Sequence, residues 1–68
     1  MKASQDKISL KQIEELADRA ENQNGEWYLR TIGYTIGKYA SLDFACTMGM
    51  KFEAKYDLPC TIVHRDDV

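Results

Sequence analysis

His64 is the only histidine in 68 residues, and Cys46 and Cys60 are the only cysteines. That scarcity removes most catalytic arrangements at once. Nucleophilic catalysis needs a nucleophile, a base within hydrogen-bond reach and donors for the developing oxyanion. Cys60 and His64 lie four residues apart in a β-branched stretch, and on an extended strand that spacing separates them by ~13 Å. Cys46 with His64 depends on tertiary packing, and no oxyanion-binding loop accompanies the pair. Structural zinc wants four ligands with short paired spacings, which Cys46, Cys60, His64 and Asp66 or Asp67 do not provide. Gly33 and Gly37 are not followed by the Lys-Ser or Lys-Thr of a phosphate-cradling loop.

Other absences bound the setting. No apolar run is long enough to cross a membrane, and the opening Met-Lys-Ala-Ser does not begin an apolar signal segment. Two cysteines are few for the disulfide framework of a short secreted chain, so cytoplasmic residence is expected, with both thiols facing the core. Lysine and arginine number nine against eleven aspartates and glutamates, for a net charge of −2. Affinity for nucleic acid is dominated by phosphate neutralisation, so this balance argues against direct nucleic-acid binding. The length allows one domain, residues 1–68, with Met1 to Lys7 a polar, flexible lead-in. Small domains often recover stability by self-association, so a homodimer is compatible with this length.

What is present is ordered. Ser9 and Gln12 can form a capping box, and Ile8 before the cap can staple onto Ile13. Leu10, Ile13, Leu16, Ala17 and Ala20 then make an apolar stripe on an amphipathic helix whose other faces carry Glu14, Glu15, Asp18 and Glu21. Asn22 to Gly25 ends it, with Gly25 or Asn24 expected in the left-handed conformation. From Trp27 to Tyr39 the chain is rich in aromatic and β-branched residues, the composition of strands. Gly33 and Gly37 interrupt the run, giving either one bent strand with a bulge or a hairpin.

Ser41 to His64 reads as helix, stop and strand. Ser41 caps, Asp43 complements the helix dipole, and Leu42, Ala45, Met48, Gly49, Phe52 and Tyr56 recur at helical spacing. Asp57-Leu58-Pro59 stops it, and Cys60-Thr61-Ile62-Val63-His64 is a short apolar strand. From Phe44 to Asp57 the residues also alternate with a period of two, so a half-buried strand competes with the helix. The use of Ala, Met, Lys and Glu favours the helix. The expected architecture is α+β, in the order helix, strand or hairpin, helix, strand, with the helices on one face of a small sheet. If the last strand runs parallel to an earlier one, the connection should be a right-handed crossover.

With reactive clusters missing, recognition of another macromolecule is left. Trp27, Tyr28, Tyr34 and Tyr39 supply large aromatics of the kind favoured at interfaces, and Glu14, Glu15, Asp18, Glu21, Asp66 and Asp67 supply an acidic surface for a basic partner. The competing reading of the aromatics is that they cap a thin core, and that of the carboxylates is an ordinary solvated helix face. The expected function is a non-catalytic, cofactor-free protein-binding module. By analogy of size and charge alone, it would be a stoichiometric inhibitor of a host enzyme or nucleic-acid-handling defence complex, of the anti-CRISPR-like sort carried by phages and mobile elements. The partner would then be a protein or a protein–nucleic-acid complex in the host cytoplasm. A small dimeric regulatory or DNA-associated protein is the alternative. A Cu(I) binder comes third, because Cys46, Met48 and Met50 would present three soft ligands on one side of an extended segment.

Overall fold

A computed structural model of the chain describes residues 7–68 and orders them helix, hairpin, helix, strand. The elements are α1 (Leu10–Ala20), β1 (Trp27–Thr31), β2 (Tyr34–Tyr39), α2 (Leu42–Tyr56) and β3 (Thr61–His64), followed by a 3-10 turn at Arg65–Asp67. The fold is α+β. Of the lead-in expected at Met1 to Lys7, all but Lys7 lies outside the described residues.

Both helices begin where local chemistry says they should. Ser9 Oγ accepts from the Gln12 N–H at 3.2 Å, and Gln12 Oε1 accepts from the Ser9 N–H at 2.9 Å. Two of the donors that a helix start leaves without partners are thereby satisfied. Ile8 joins the core cluster, as a stapling residue should, but Leu10 turns outward and is 53% exposed. Ser41 Oγ accepts from the Phe44 N–H at 3.1 Å and starts α2. The alternation along 44–57 is therefore not a strand. The helix closes at Asp57, left-handed at φ 57°, whose N–H bonds the Glu53 carbonyl. The stop thus comes two residues before Pro59.

At the end of α1 the expectation fails. Glu21 caps it in right-handed geometry, and neither Asn24 nor Gly25 has a positive φ. Gly25 is needed for space instead, since a Cβ there would stand 2.5 Å from the backbone N and C of Tyr39.

Hairpin and bulge both occur. A two-residue turn at Ile32-Gly33, with φ of 42° and 88°, joins β1 to β2 in the manner of the primed turns that match strand twist. Leu29 pairs with Gly37 but Arg30 pairs with Thr35, so Ile36 is the extra residue of a bulge. The bulge is why Ile36 and Gly37 are both buried, although they are neighbours on a strand. β3 pairs antiparallel with the other side of β1, giving the order β2-β1-β3. No parallel crossover is formed.

Ile13, Leu29 and Ile36 form the buried cluster, joined by Leu16 from α1 and by Met48, Phe52 and Ile62 from α2 and β3. α2 touches all three strands and comes down on the sheet at Gly49, where a Cβ would lie 3.1 Å from Leu29 Cδ1. α1 packs chiefly along β2. The hydroxyl of Thr31, 3% exposed, donates to the Pro59 carbonyl at 2.8 Å and ties the hairpin to the segment entering β3.

Candidate functional site

A sheet of three strands has two edges, and this chain treats them differently. β2 is flanked by α1 and the segment after it, and the Gln23 side chain accepts the Lys38 N–H at 3.0 Å. One outward donor of that edge is thus occupied. β3 has no strand on its outer side among the described residues. The Arg65 N–H bonds the Glu26 carbonyl at 2.7 Å, which makes that pair a hydrogen-bonded one. Bonded and non-bonded pairs alternate along an antiparallel ladder, so Val63 and Thr61 also face β1. Ile62 and His64 therefore direct their N–H and C=O groups outward.

Beside this edge runs a groove of about 260 Å³ between α2 and β3, lined by Cys46, Gly49, Met50, Glu53, Cys60 and Ile62. Met50 is 70% exposed, and Cys46 and Leu42 are exposed on the same flank, one and two turns earlier. An apolar flank on a helix ordinarily packs against something. Cys46 was expected in the core and is not; its position on the turn before Gly49 points it past the sheet. Cys60 is half-buried, and both thiols are free. Burial, then the Glu53 carboxylate, hold the Cys60 thiol above its ordinary pKa, against the opposing effect of a Thr31 hydrogen bond. That suppresses thiolate chemistry.

Acidic side chains bracket the edge. Glu53 accepts the Cys60 N–H at 2.7 Å just before β3, and Asp57 is exposed at the end of α2. At the other end His64 sits between Glu26, 3.2 Å from its Nε2, and Asp66, whose N–H donates to Nδ1 at 3.2 Å. With Nδ1 accepting, Nε2 carries the proton and donates to Glu26. The His64 ring also stands edge-on to Trp27, with centroids 4.9 Å apart. Cys60 and His64 thus serve opposite ends of the strand.

The aromatics singled out by the sequence are all half-buried and engaged. Trp27 holds His64, Tyr28 lies under the Lys38 ammonium at 5.2 Å, and Tyr39 meets Phe44 edge-on at 5.3 Å. The Tyr34 hydroxyl donates to Glu14 at 3.1 Å. Glu14, Glu15 and Asp18 belong to α1 and Glu21 caps its end, whereas Asp66 and Asp67 lie in the 3-10 turn after β3. Arg30 donates to Thr35 and to the Gly33 carbonyl, so the basic residues of the Tyr28 face are already satisfied within the sheet. As helix residues, Cys46 and Met50 stay outside while Met48 packs on the core, so the three sulfurs do not converge.

Compared with protein-family models, curated proteins and solved structures, the chain gives no significant match. Function is therefore argued from its own surface. Sequence reasoning gave Met50 only as a soft ligand of an extended segment, and it assigned no role to Glu53 or to the outward groups of Ile62 and His64. Ile62 read as core because its strand is apolar, and edge status depends on strand order. No helix among the described residues is long and apolar enough to cross a membrane.

Proposed function

We propose that this chain is a non-catalytic binding module that takes an extended, basic segment of another protein along β3. The observation that carries the reading is the asymmetry of the sheet: β2 is flanked and capped, while Ile62 and His64 offer outward main-chain groups beside an apolar groove. Strand addition uses such an edge for affinity and the adjoining groove for side-chain selection. Glu53 and Asp57 at one end and Glu26, Asp66 and Asp67 at the other favour lysine or arginine in the incoming segment. The same acids disfavour a second copy of this chain, because antiparallel self-pairing of β3 brings Asp66 and Asp67 of each copy toward Asp57 and Glu53 of the other. Basic surfaces are typical of proteins that handle nucleic acid. A stoichiometric blocker of such an enzyme or complex, in a host cytoplasm, is the specific form of this reading.

The test follows the Ile62 and His64 amides by hydrogen exchange while the chain is titrated with a short peptide alternating lysine and valine. Protection of both amides, weakened by Met50→Lys and by joint Asp66→Asn and Asp67→Asn, supports the proposal. Equal protection by a peptide alternating glutamate and valine, or none by either, overturns it. Protection that rises with the chain's own concentration replaces the basic partner with a homodimer.

A further inference from the structure

On the opposite flank of α2 lies a second concavity, independent of the β3 edge. Residues of α1, α2, β1 and β2 line a cleft of about 270 Å³, with Leu16 on one wall and Phe52 on the other. Its floor is Leu29 and Ile36, two of the three residues at the centre of the core. Leu29 and Ile36 are themselves buried, so the apolar surface open to the cleft is that of its half-buried walls, Leu16, Met48 and Phe52, which lack a close-packed neighbour on that side and forfeit dispersion contacts.

The lip has one sign of charge. Lys51 and Lys55 are one helical turn apart on α2, both line the cleft, and neither pairs with a carboxylate among the described residues. Lys55 Nζ stands 5.3 Å from the Tyr56 ring centroid, at the same lip. In a chain of net charge −2, two such lysines beside an apolar cleft mark a local reversal of sign. An apolar interior below a cationic rim selects a ligand with an apolar body and one anionic head. The volume is below the usual range for drug-sized sites, about 300–1,000 Å³, which suits one short chain rather than a helix or a polypeptide.

We propose that the α1–α2 cleft binds a monomeric alkyl carboxylate of medium length, with its chain between Leu16, Met48 and Phe52 above the buried floor and its head between Lys51 and Lys55. The two ammonium groups fix the head, and the chain restores the missing apolar neighbours.

The experiment titrates the isotopically labelled chain with decanoate below its micelle concentration, with decanol and decyltrimethylammonium as charge controls, and reads amide shifts. Saturable one-to-one binding is expected, with shifts centred on Leu16, Ile36 and Phe52. Affinity should rise about fourfold per methylene from shorter carboxylates until the cleft is full. Joint Lys51→Gln and Lys55→Gln, both at exposed positions, should weaken decanoate about tenfold or more and leave decanol unchanged. Lys11→Gln on α1 should change nothing. Equal affinity for decanoate and decanol, shifts centred on Met50 and Ile62, or association with anionic phospholipid vesicles but not with monomeric decanoate would each overturn the assignment.

Discussion

Gly25 faces the main chain of Tyr39 so closely that a Cβ on it would lie 2.5 Å from Tyr39 N and C. The contact holds the segment after α1 against the end of β2, near the point where Gln23 accepts from Lys38. The covered edge of the sheet and the open one are thus set partly by a residue that has no side chain. Gly25→Ala must displace backbone rather than a flexible tip, so a loss of about 1–3 kcal/mol is expected by urea denaturation. Unchanged stability would mean that the segment moves away freely, and exchange of the Lys38 amide would then rise.

Ile32 carries the opposite lesson. It is β-branched, has φ of 42° at the hairpin tip and is 55% exposed, so little packing offsets its left-handed backbone. Ile32→Asn creates the Asn-Gly pair that such a turn prefers. A gain of about 1 kcal/mol is expected, raising Tm by roughly 4–8 °C for a domain of this size. Asp57 is also left-handed, but a short polar side chain tolerates that region better, so Asp57→Gly should gain less. If Ile32→Asn is neutral or harmful, the isoleucine contributes contacts that exposure conceals.

The Tyr34 hydroxyl titrates above its ordinary value because it donates to Glu14 and faces that carboxylate's charge, and burial raises Tyr39. A folded pKa above the unfolded one favours the protonated native state. The stabilisation is therefore complete below the unfolded tyrosine pKa, near pH 10, and fades as pH climbs through the raised folded values. Tyr34→Phe should lower the plateau below about pH 10 slightly and flatten part of the alkaline loss of stability. An unchanged alkaline slope would exclude the Glu14 contact as its source.

The two thiols should separate in a modification time course with a disulfide reagent. Cys46 is exposed, whereas Cys60 is half-buried with its thiol pKa pushed up, so one fast and one slow phase are expected. Cys46→Ser should remove the fast phase alone. A peptide bound in the α2–β3 groove should slow Cys46, which lines it.

Legibility followed distance along the chain. The capping box of Ser9 and Gln12 and the Ser41 cap each involve groups within four residues of one another, and each was readable because neighbours in sequence are neighbours in space, whereas Gly33 marked an interruption that fitted a bulge as well as a turn. The amphipathic pattern likewise located Ile13, Leu16, Met48 and Phe52 in the core. Order and class of the elements, α+β with helix, strand or hairpin, helix and strand, were therefore properties of the sequence, and the structure chose the hairpin. Tertiary structure alone decided that β3 lies antiparallel beside β1, that α1 flanks β2, and that Leu42, Cys46 and Met50 on one flank of α2 stay exposed. Periodicity says that a face is apolar but not what will cover it, and an edge exists only once every strand has chosen its partner.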